Sequence, residues 1–519
     1  MVIPKSRNAF LRIVPLALTA LSFPLACTHP AYASVPPSPG AYAGYNVIIL
    51  SLGNVGTQHM SLYGYARRTT PGLDAIADEF LVFQDAFSPA SWTLPVAASV
   101  FTALYPYSHK IVHRLHENVL DPEIRTLPEL FRDNGYRTAA FTGGLDYYKG
   151  FSTMRGFQET DSNPNFTRLG TSLRQAKDWL RRNRSRRFFL FVHGYDSHCP
   201  FSPPDSVRGT FSNPRAKGLT VDAARCVRGT WRPRRDRFET YYASRCPVFP
   251  RGDSCTNEAP QKVHLTEADL NQLQDLYDET ILAGDAQAAG FISSLGKPLL
   301  DKTIVVIMAE HGEMFAKHGQ FGRAGATRGT LYDDVVHVPL LMRLPGVRGR
   351  RVAGLVELTD VAPTLARLLG VRLPNRIAGK DLSPLVWGGT ARHEYVYAGL
   401  PFMWQSAPFR VTSINESMRS REWKFIREVT YPQTAWRAAL RRLLRMGPKP
   451  PKEMVELYRI DEDPEESRNL AAAKPDLVQR MRRDLAAWTA QAKAFNPRLP
   501  KTAPVPKQLL EDARKHGYW

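Results

Sequence analysis

The chain has 519 residues, 43% of them hydrophobic and 23% charged, which excludes a disordered chain and gives length for one large domain plus a smaller one. Its 69 Lys and Arg against 49 Asp and Glu leave a net charge of +20, which favours anionic partners such as sulfated or phosphorylated polymers or acidic lipid surfaces. No zinc-finger, basic-zipper or RNA-binding signature accompanies that charge, so nucleic acid is not an expected partner.

The N-terminus reads as a targeting segment. Lys5, Arg7 and Arg12 precede an apolar stretch over 14–26 that is too short to span a membrane, and Ala31-Tyr32-Ala33 is a cleavage signal. Residues 1–33 are therefore expected to be a signal peptide, and the mature protein to be exported, periplasmic or extracellular. Leu25-Ala26-Cys27 loosely resembles a lipoprotein signal, although Pro24 stands where an aliphatic residue is expected. No later stretch is long and apolar enough to predict a transmembrane helix.

A Pro/Gly/Ser linker over 34–45 leads into Asn46-Val47-Ile48-Ile49-Leu50-Ser51-Leu52, an almost uninterrupted apolar run that predicts a buried parallel strand. It ends at Gly53-Asn54, and loops at the C-terminal ends of such strands are where ligands bind in open α/β sheets. A helix is predicted from Thr70 to Phe80 and a short strand at Val82-Phe83. Ser88 to Leu94 is a loop that runs into small and apolar residues of a buried helix, with Thr93 at the junction and Pro95 just behind it. A hydroxyl there is either an ordinary N-cap or part of an anion site at a helix N-terminus.

Further on, Leu127 to Asn134 reads as a helix, Tyr136 to Phe141 as a strand, and Leu169 to Arg182 as an amphipathic helix. Phe188 to His193 is another buried strand, and it runs into Asp196-Ser197-His198. An insertion over about 199–263 carries Cys199, Cys226, Cys246 and Cys255. Four cysteines in an exported chain suggest two disulfides, with three pairings open, and the absence of C-x-x-C spacing counts against zinc. Leu265 to Leu295 is helical, and Thr303 to Met308 is a buried strand ending at Glu310-His311-Gly312-Glu313. Val338 to Met342 reads as a strand and Leu358 to Leu369 as a helix.

Strands alternating with helices over 46–387 predict a doubly wound, mostly parallel α/β sheet flanked by helices. After about Trp387 the pattern changes to a smaller α+β subdomain over 388–519. Trp423 to Ile426 and Glu456 to Ile460 are its predicted strands, Pro475 to Trp488 its covering helix, and Thr434 to Lys452 a basic amphipathic segment.

Asn54, Thr93, His198 and the pair Glu310-His311 thus stand at strand ends. Hydroxyl, carboxylate and imidazole groups at one sheet edge suit hydrolysis of an anionic ester: the hydroxyl attacks, a cation neutralises the charged oxygens, and an imidazole protonates the leaving group.

Ordered stretches also resemble the sulfatase family of the alkaline phosphatase superfamily over nearly all of the mature chain. They are Asn46 to Leu50 with His59-Met60-Ser61-Leu62-Tyr63-Gly64, Thr70-Pro71-Gly72-Leu73-Asp74, Thr93-x-Pro95 with Thr102 to Pro106, Thr126 to Leu130 with Gly135 to Ala139, Asp196-Ser197-His198, Glu310-His311-Gly312-Glu313, Leu331 to Asp334 with Val338-Pro339-Leu340, and Glu456-Leu457-Tyr458 with Asp463-Pro464 to Leu470.

That resemblance implies Thr93 at the nucleophile position, His198 as general acid, and Arg328, with Arg323 a nearby second candidate, where the family places an ester-binding Lys. It implies a divalent metal, calcium by resemblance, held by Asn54, Thr93, Glu310 and His311.

The departures are equally specific. The family's nucleophile is a Cys or Ser oxidised to formylglycine, and the carbinol carbon of Thr93 carries a methyl that forbids this aldehyde. The expected Arg after the Pro is Ala97, the paired Asp after the first strand are Gly53 and Asn54, and the later Asp is Glu310. The expected function is an exported sulfatase-like hydrolase of sulfate or phosphate esters, acting on a sulfated or phosphorylated glycan or small molecule. Gly53, Asn54 and Ala97 support a non-catalytic protein that binds an anionic glycan on the same fold, and unmodified Thr also suits a phosphoryl-type group transferase.

Overall fold

The computed structural model describes residues 38–114, 119–148, 151–163, 167–199, 201–215, 225–230, 232–234, 237–240, 242–245, 263–315, 317–322, 330–374, 376–390, 393–403, 411–431 and 450–496. The predicted signal peptide, Arg323, Arg328 and most of the basic segment over 434–452 lie outside these residues, as do the side chains of Cys226, Cys246 and Cys255. The disulfide expectation therefore falls outside them too, except at Cys199, which is buried.

An eight-stranded sheet organises the chain. Its spatial order is Arg350–Glu357, Leu81–Phe87, Leu340–Arg343, Thr303–Met308, Asn46–Ser51, Phe188–His193, Arg137–Gly143 and Glu159–Asn163. Leu340–Arg343 runs antiparallel to both of its neighbours, and the other seven strands share one direction. Asn46–Ser51 lies at the centre, paired with Thr303–Met308 on one side and Phe188–His193 on the other. All three are buried along their whole length, so apolar side chains point to both faces instead of alternating with polar ones. One face packs on the helices Thr93–Thr102 and Val361–Leu369, the other on Leu169–Asn183 and Glu267–Leu295.

The predicted α/β class holds, and so do the central strands. Glu267–Leu295 starts at a capping box, where Thr266 accepts from the Asp269 backbone N–H and the Asp269 carboxylate accepts from Thr266 N–H. Two strands of the large sheet went unpredicted. Glu159–Asn163 is a polar edge strand, and Arg350–Glu357 opens with two arginines, so neither carries the apolar run used to find the rest.

A second sheet of four antiparallel strands, Val396–Met403, Val411–Arg419, Trp423–Thr430 and Lys452–Arg459, is covered by the helix Pro475–Phe495. Tyr105 and Tyr107, just after the helix Thr93–Thr102, enter its core, and Leu400 and Phe402 enter the core of the large sheet. The two sheets thus share side chains across their junction. Among the described residues, no helix is long and apolar enough to cross a membrane.

Candidate active site

Three adjacent strands deliver polar groups to one edge of the sheet. Ser51 ends the central strand and leads to Asn54, Met308 leads to Glu310 and His311, and His193 leads to His198. Backbone bonds lock these loops together: Glu310 N–H donates to Gly53 O (2.9 Å), and Asn54 and His311 form an isolated parallel bridge. Ser197 Oγ donates to Leu52 O (3.3 Å), which ties the His198 loop to the central strand.

Thr93 arrives from the far side, at the first turn of the helix Thr93–Thr102. The N-cap is Trp92, in extended conformation, and no side chain caps the helix, which corrects the reading of Thr93 as an N-cap. Its hydroxyl instead lies 3.4 Å from His311 Nε2, and Thr93 is 1% exposed. His311 Nδ1 is 2.9 Å from Gly312 O. A carbonyl only accepts, so Nδ1 carries the proton and Nε2 presents a lone pair to the Thr93 hydroxyl. Gly312 is obligatory at this turn, because a Cβ there would sit 2.1 Å from Asp334 O.

His198 is buried, with Nδ1 2.6 Å from Cys199 O, so it too is oriented by a carbonyl. Nδ1 is the donor, and His198 can serve as an acid only when Nε2 is protonated as well.

Glu310 is fully buried, and its Oε1 accepts from both Ser51 Oγ and Tyr147 OH at 2.6 Å. Burial, then the neighbouring Glu310 charge, pushes the Tyr147 hydroxyl far above its ordinary pKa, so it remains a donor. Glu310 Oε2 faces His193 Nε2 at 3.6 Å. Asn54 Nδ2 donates to Glu313 Oε1 (3.2 Å), while Asn54 Oδ1 is buried with no hydrogen-bond partner. Tyr147 is held in place through its neighbour Asp146, which takes two bonds from Arg114 at 2.6 and 2.9 Å. The Arg114 guanidinium in turn lies 5.1 Å from the ring centroid of Trp92, beside Thr93.

The structure thus brings Asn54, Thr93, Glu310 and His311 to one place, with His198 on the adjoining loop; Arg328 lies outside the described residues. Sequence reasoning missed Ser51, Tyr147, His193 and Glu313. Ser51, His193 and Tyr147 stand at or just after the C-terminal ends of parallel strands, so the rule that singled out His198 would have found them.

The expected metal donors do not make a cage for a hard cation. Such an ion takes about six to eight oxygens, several from carboxylates. The four expected donors include one carboxylate, and two hydroxyls already occupy one of its oxygens. The position of the lost Asp is closed as well. Gly53 has φ +74°, and a Cβ there would lie 2.5 Å from Gly194 O.

Among the described residues, the one group of three His or acidic side chains with donor atoms within 4.8 Å is Glu357, Asp360 and His393, away from these strand ends. Its oxygens are engaged. Glu357 accepts from Tyr105 OH, Thr359 Oγ1 and Tyr397 N–H, and Asp360 accepts from Glu357 N–H and Lys380 N–H and pairs with His393. It clamps the two sheets together.

Comparison with known proteins places this geometry in context. The family model described as "Sulfatase" matches residues 45–371, and that described as "N-sulphoglucosamine sulphohydrolase, C-terminal" matches residues 319–437. Arylsulfatase K of Homo sapiens is 25% identical over 434 residues, covering 76% of this chain and 73% of the relative. Delta 4,5-hexuronate-2-O-sulfatase of Bacteroides thetaiotaomicron is 23% identical over 404 residues, covering 73% of this chain and 79% of the relative. Phosphonate monoester hydrolase of Agrobacterium radiobacter superposes with a TM-score of 0.63 at 18% identity, over 86% of this chain and 96% of that one, a likeness of fold.

Proposed function

The chain belongs to the sulfatase family of the alkaline phosphatase superfamily, and from that premise we infer that it hydrolyses sulfate or phosphate esters with Thr93 as nucleophile. The observation that carries this reading is the Thr93 hydroxyl 3.4 Å from the His311 nitrogen left with its lone pair. That distance is long for a hydrogen bond, and nucleophile–base contacts in a site without substrate commonly tighten on binding.

His311 Nε2 takes the hydroxyl proton as Thr93 Oγ1 bonds to sulfur or phosphorus. The bond to the leaving oxygen breaks, and protonated His198 supplies that oxygen's proton. Water then cleaves the Thr93 ester and releases sulfate or phosphate. Partial positive charge at the N-terminus of the helix Thr93–Thr102 favours the anionic group at this position. In this reading Arg328 grips the ester oxygens. A sulfated glycan is the favoured substrate class, since one relative's name specifies a hexuronate 2-O-sulfate and the chain carries a net charge of +20. Export to a periplasmic or extracellular compartment would place the protein with such glycans.

The test is turnover of aryl sulfate, phosphate monoester and phosphodiester by purified protein, with calcium, magnesium, manganese or zinc added in turn. We expect sulfate or phosphate release that Thr93→Ala abolishes. Equal turnover by Thr93→Ala would remove Thr93 from the chemistry. One observation favours a second reading, a non-catalytic glycan-binding protein: the Gly53 backbone is packed where the family's carboxylate would stand. Tight binding of a sulfated glycan with no turnover under any metal would establish it.

A further inference from the structure

A cleft opens at the end of the large sheet opposite Thr93. Asn46 starts the central strand there, and Lys302 immediately precedes its neighbour Thr303–Met308. Asn54 and Glu310 follow the other ends of those same two strands. A six-residue strand spans about 20 Å, so nothing held in this cleft touches the candidate active site.

The cleft has a volume of about 580 Å³ and lies between the C-terminal ends of the helices Leu169–Asn183 and Glu267–Leu295. Lys177, Arg181, Arg184 and Lys302 line it, and no carboxylate does. Among the described residues, Arg181 is the one of the four with an ion pair, to Asp178 at 2.6 Å. Cations at a helix C-terminus often do no more than offset its dipole, but that account is too small here. Two helix ends supply about one negative charge together, and Asp178 one more, which leaves the four cations with a net charge of about +2.

The floor of the cleft is apolar, formed by Leu180, Leu295 and Leu299. Cations around an apolar floor match a sulfated sugar polymer, whose sulfates are charged and whose ring carbons are apolar. Two other polyanions fit less well. Single-stranded nucleic acid is held by aromatic stacking, and no aromatic side chain lines this cleft. A bilayer is gripped by exposed apolar side chains, and among the described residues the one large exposed hydrophobic side chain is Met454, on the second sheet.

We propose that this cleft is a second binding site for a sulfated polysaccharide, holding a stretch of the polymer remote from the ester being cleaved. The choice of a sulfated chain rests on the ester-hydrolase reading, and the presence of an anion site rests on the cleft alone. Held there, the polymer keeps its other esters at high local concentration near the sheet's far edge, without contact to the reacting atoms.

The test measures binding of dextran sulfate to the full chain. Arg184→Ser combined with Lys302→Ser should weaken binding about 10-fold. Arg421→Ser combined with Arg483→Ser removes the same charge from the second sheet and its covering helix, and should weaken binding less than about 2-fold. All four positions are exposed, so the variants keep the fold. Turnover of a small aryl sulfate should be the same in both pairs as in wild type. Equal weakening by the two pairs assigns the effect to net charge and overturns the proposal. So does a wild-type chain that binds no dextran sulfate, or one that binds phosphatidylserine vesicles or single-stranded DNA more tightly. Dextran sulfate binding that the cleft pair weakens, with no turnover of any ester, upholds the cleft and sinks the hydrolase reading; ester turnover by a chain that binds no dextran sulfate does the reverse.

Discussion

Restoring the family's carboxylate at position 53 should harm the protein and gain no calcium site. Gly53 sits at φ +74°, a conformation that costs a side-chain-bearing residue about 1–3 kcal/mol, with Asp toward the lower end. The added Cβ would also meet Gly194 O at 2.5 Å. That carbonyl cannot retreat easily, because Gly194 itself packs so closely that its own Cβ would lie 2.4 Å from the Leu169 backbone. Overpacking against rigid backbone adds about 1–3 kcal/mol. We therefore expect Gly53→Ala to lose about 2–6 kcal/mol of stability and Gly53→Asp, with less backbone strain but a larger side chain, a similar amount. The assay is urea unfolding followed by two probes, with and without calcium. A native-state calcium site saturated 1,000-fold over its Kd would return about 4 kcal/mol. We expect calcium to return none of it. A Gly53→Asp protein as stable as wild type, or one that calcium stabilises by several kcal/mol while ester hydrolysis appears, would refute the claim that this backbone is closed to a carboxylate.

Two further outcomes follow from buried groups. If His198 protonates the leaving oxygen, His198→Ala should slow hydrolysis of alkyl or sugar esters by about 10²- to 10⁴-fold and barely affect nitrophenyl esters, whose leaving group needs no proton. Equal loss on both substrates, measured as kcat/KM, would assign His198 to binding. Asp285 accepts from Gly72 N–H and Leu73 N–H at 2.6 and 2.8 Å, and burial raises its carboxyl from 3.8 to about 6. A folded pKa above the unfolded one gives stability that is full below pH 3.8 and lost as pH rises through about 6, in all about 3 kcal/mol. The stability advantage of wild type over Asp285→Asn should therefore shrink by most of that amount from pH 4 to pH 7.5 in denaturant titrations. A constant or growing advantage would contradict it.

What the sequence disclosed followed from burial. Val47 to Leu50, Phe188 to Val192 and Ile304 to Met308 are apolar because each strand is covered on both faces, and that same fact made them visible. Their loops then named Asn54, His198, Glu310 and His311 without any view of the fold. Arg350–Glu357 and Glu159–Asn163 lie at the two sheet edges, where solvent allows charge and hides the pattern. The use of Thr93 was not legible locally. A threonine before Leu94-Pro95 is an ordinary helix start, and only the pairing of the preceding strand Leu81–Phe87 with Leu340–Arg343, itself beside Thr303–Met308, brings it to His311 across 218 residues of chain.

The residues that sequence reasoning passed over are those that reinterpret the site. A carboxylate at position 310 read alone is a metal ligand. With Ser51 and Tyr147 on one oxygen and His193 opposite the other, it is half committed to the protein before any ligand arrives. Gly at position 53 therefore bears on more than one donor. It carries no charge, a side chain there would start 3.7 Å from His193 Nε2, and it leaves Glu310, with two hydroxyls on one oxygen, as the one carboxylate among the expected donors. With Gly53 uncharged and two hydroxyls bound to one oxygen of Glu310, this sheet edge offers a hard cation fewer free carboxylate oxygens than such an ion takes.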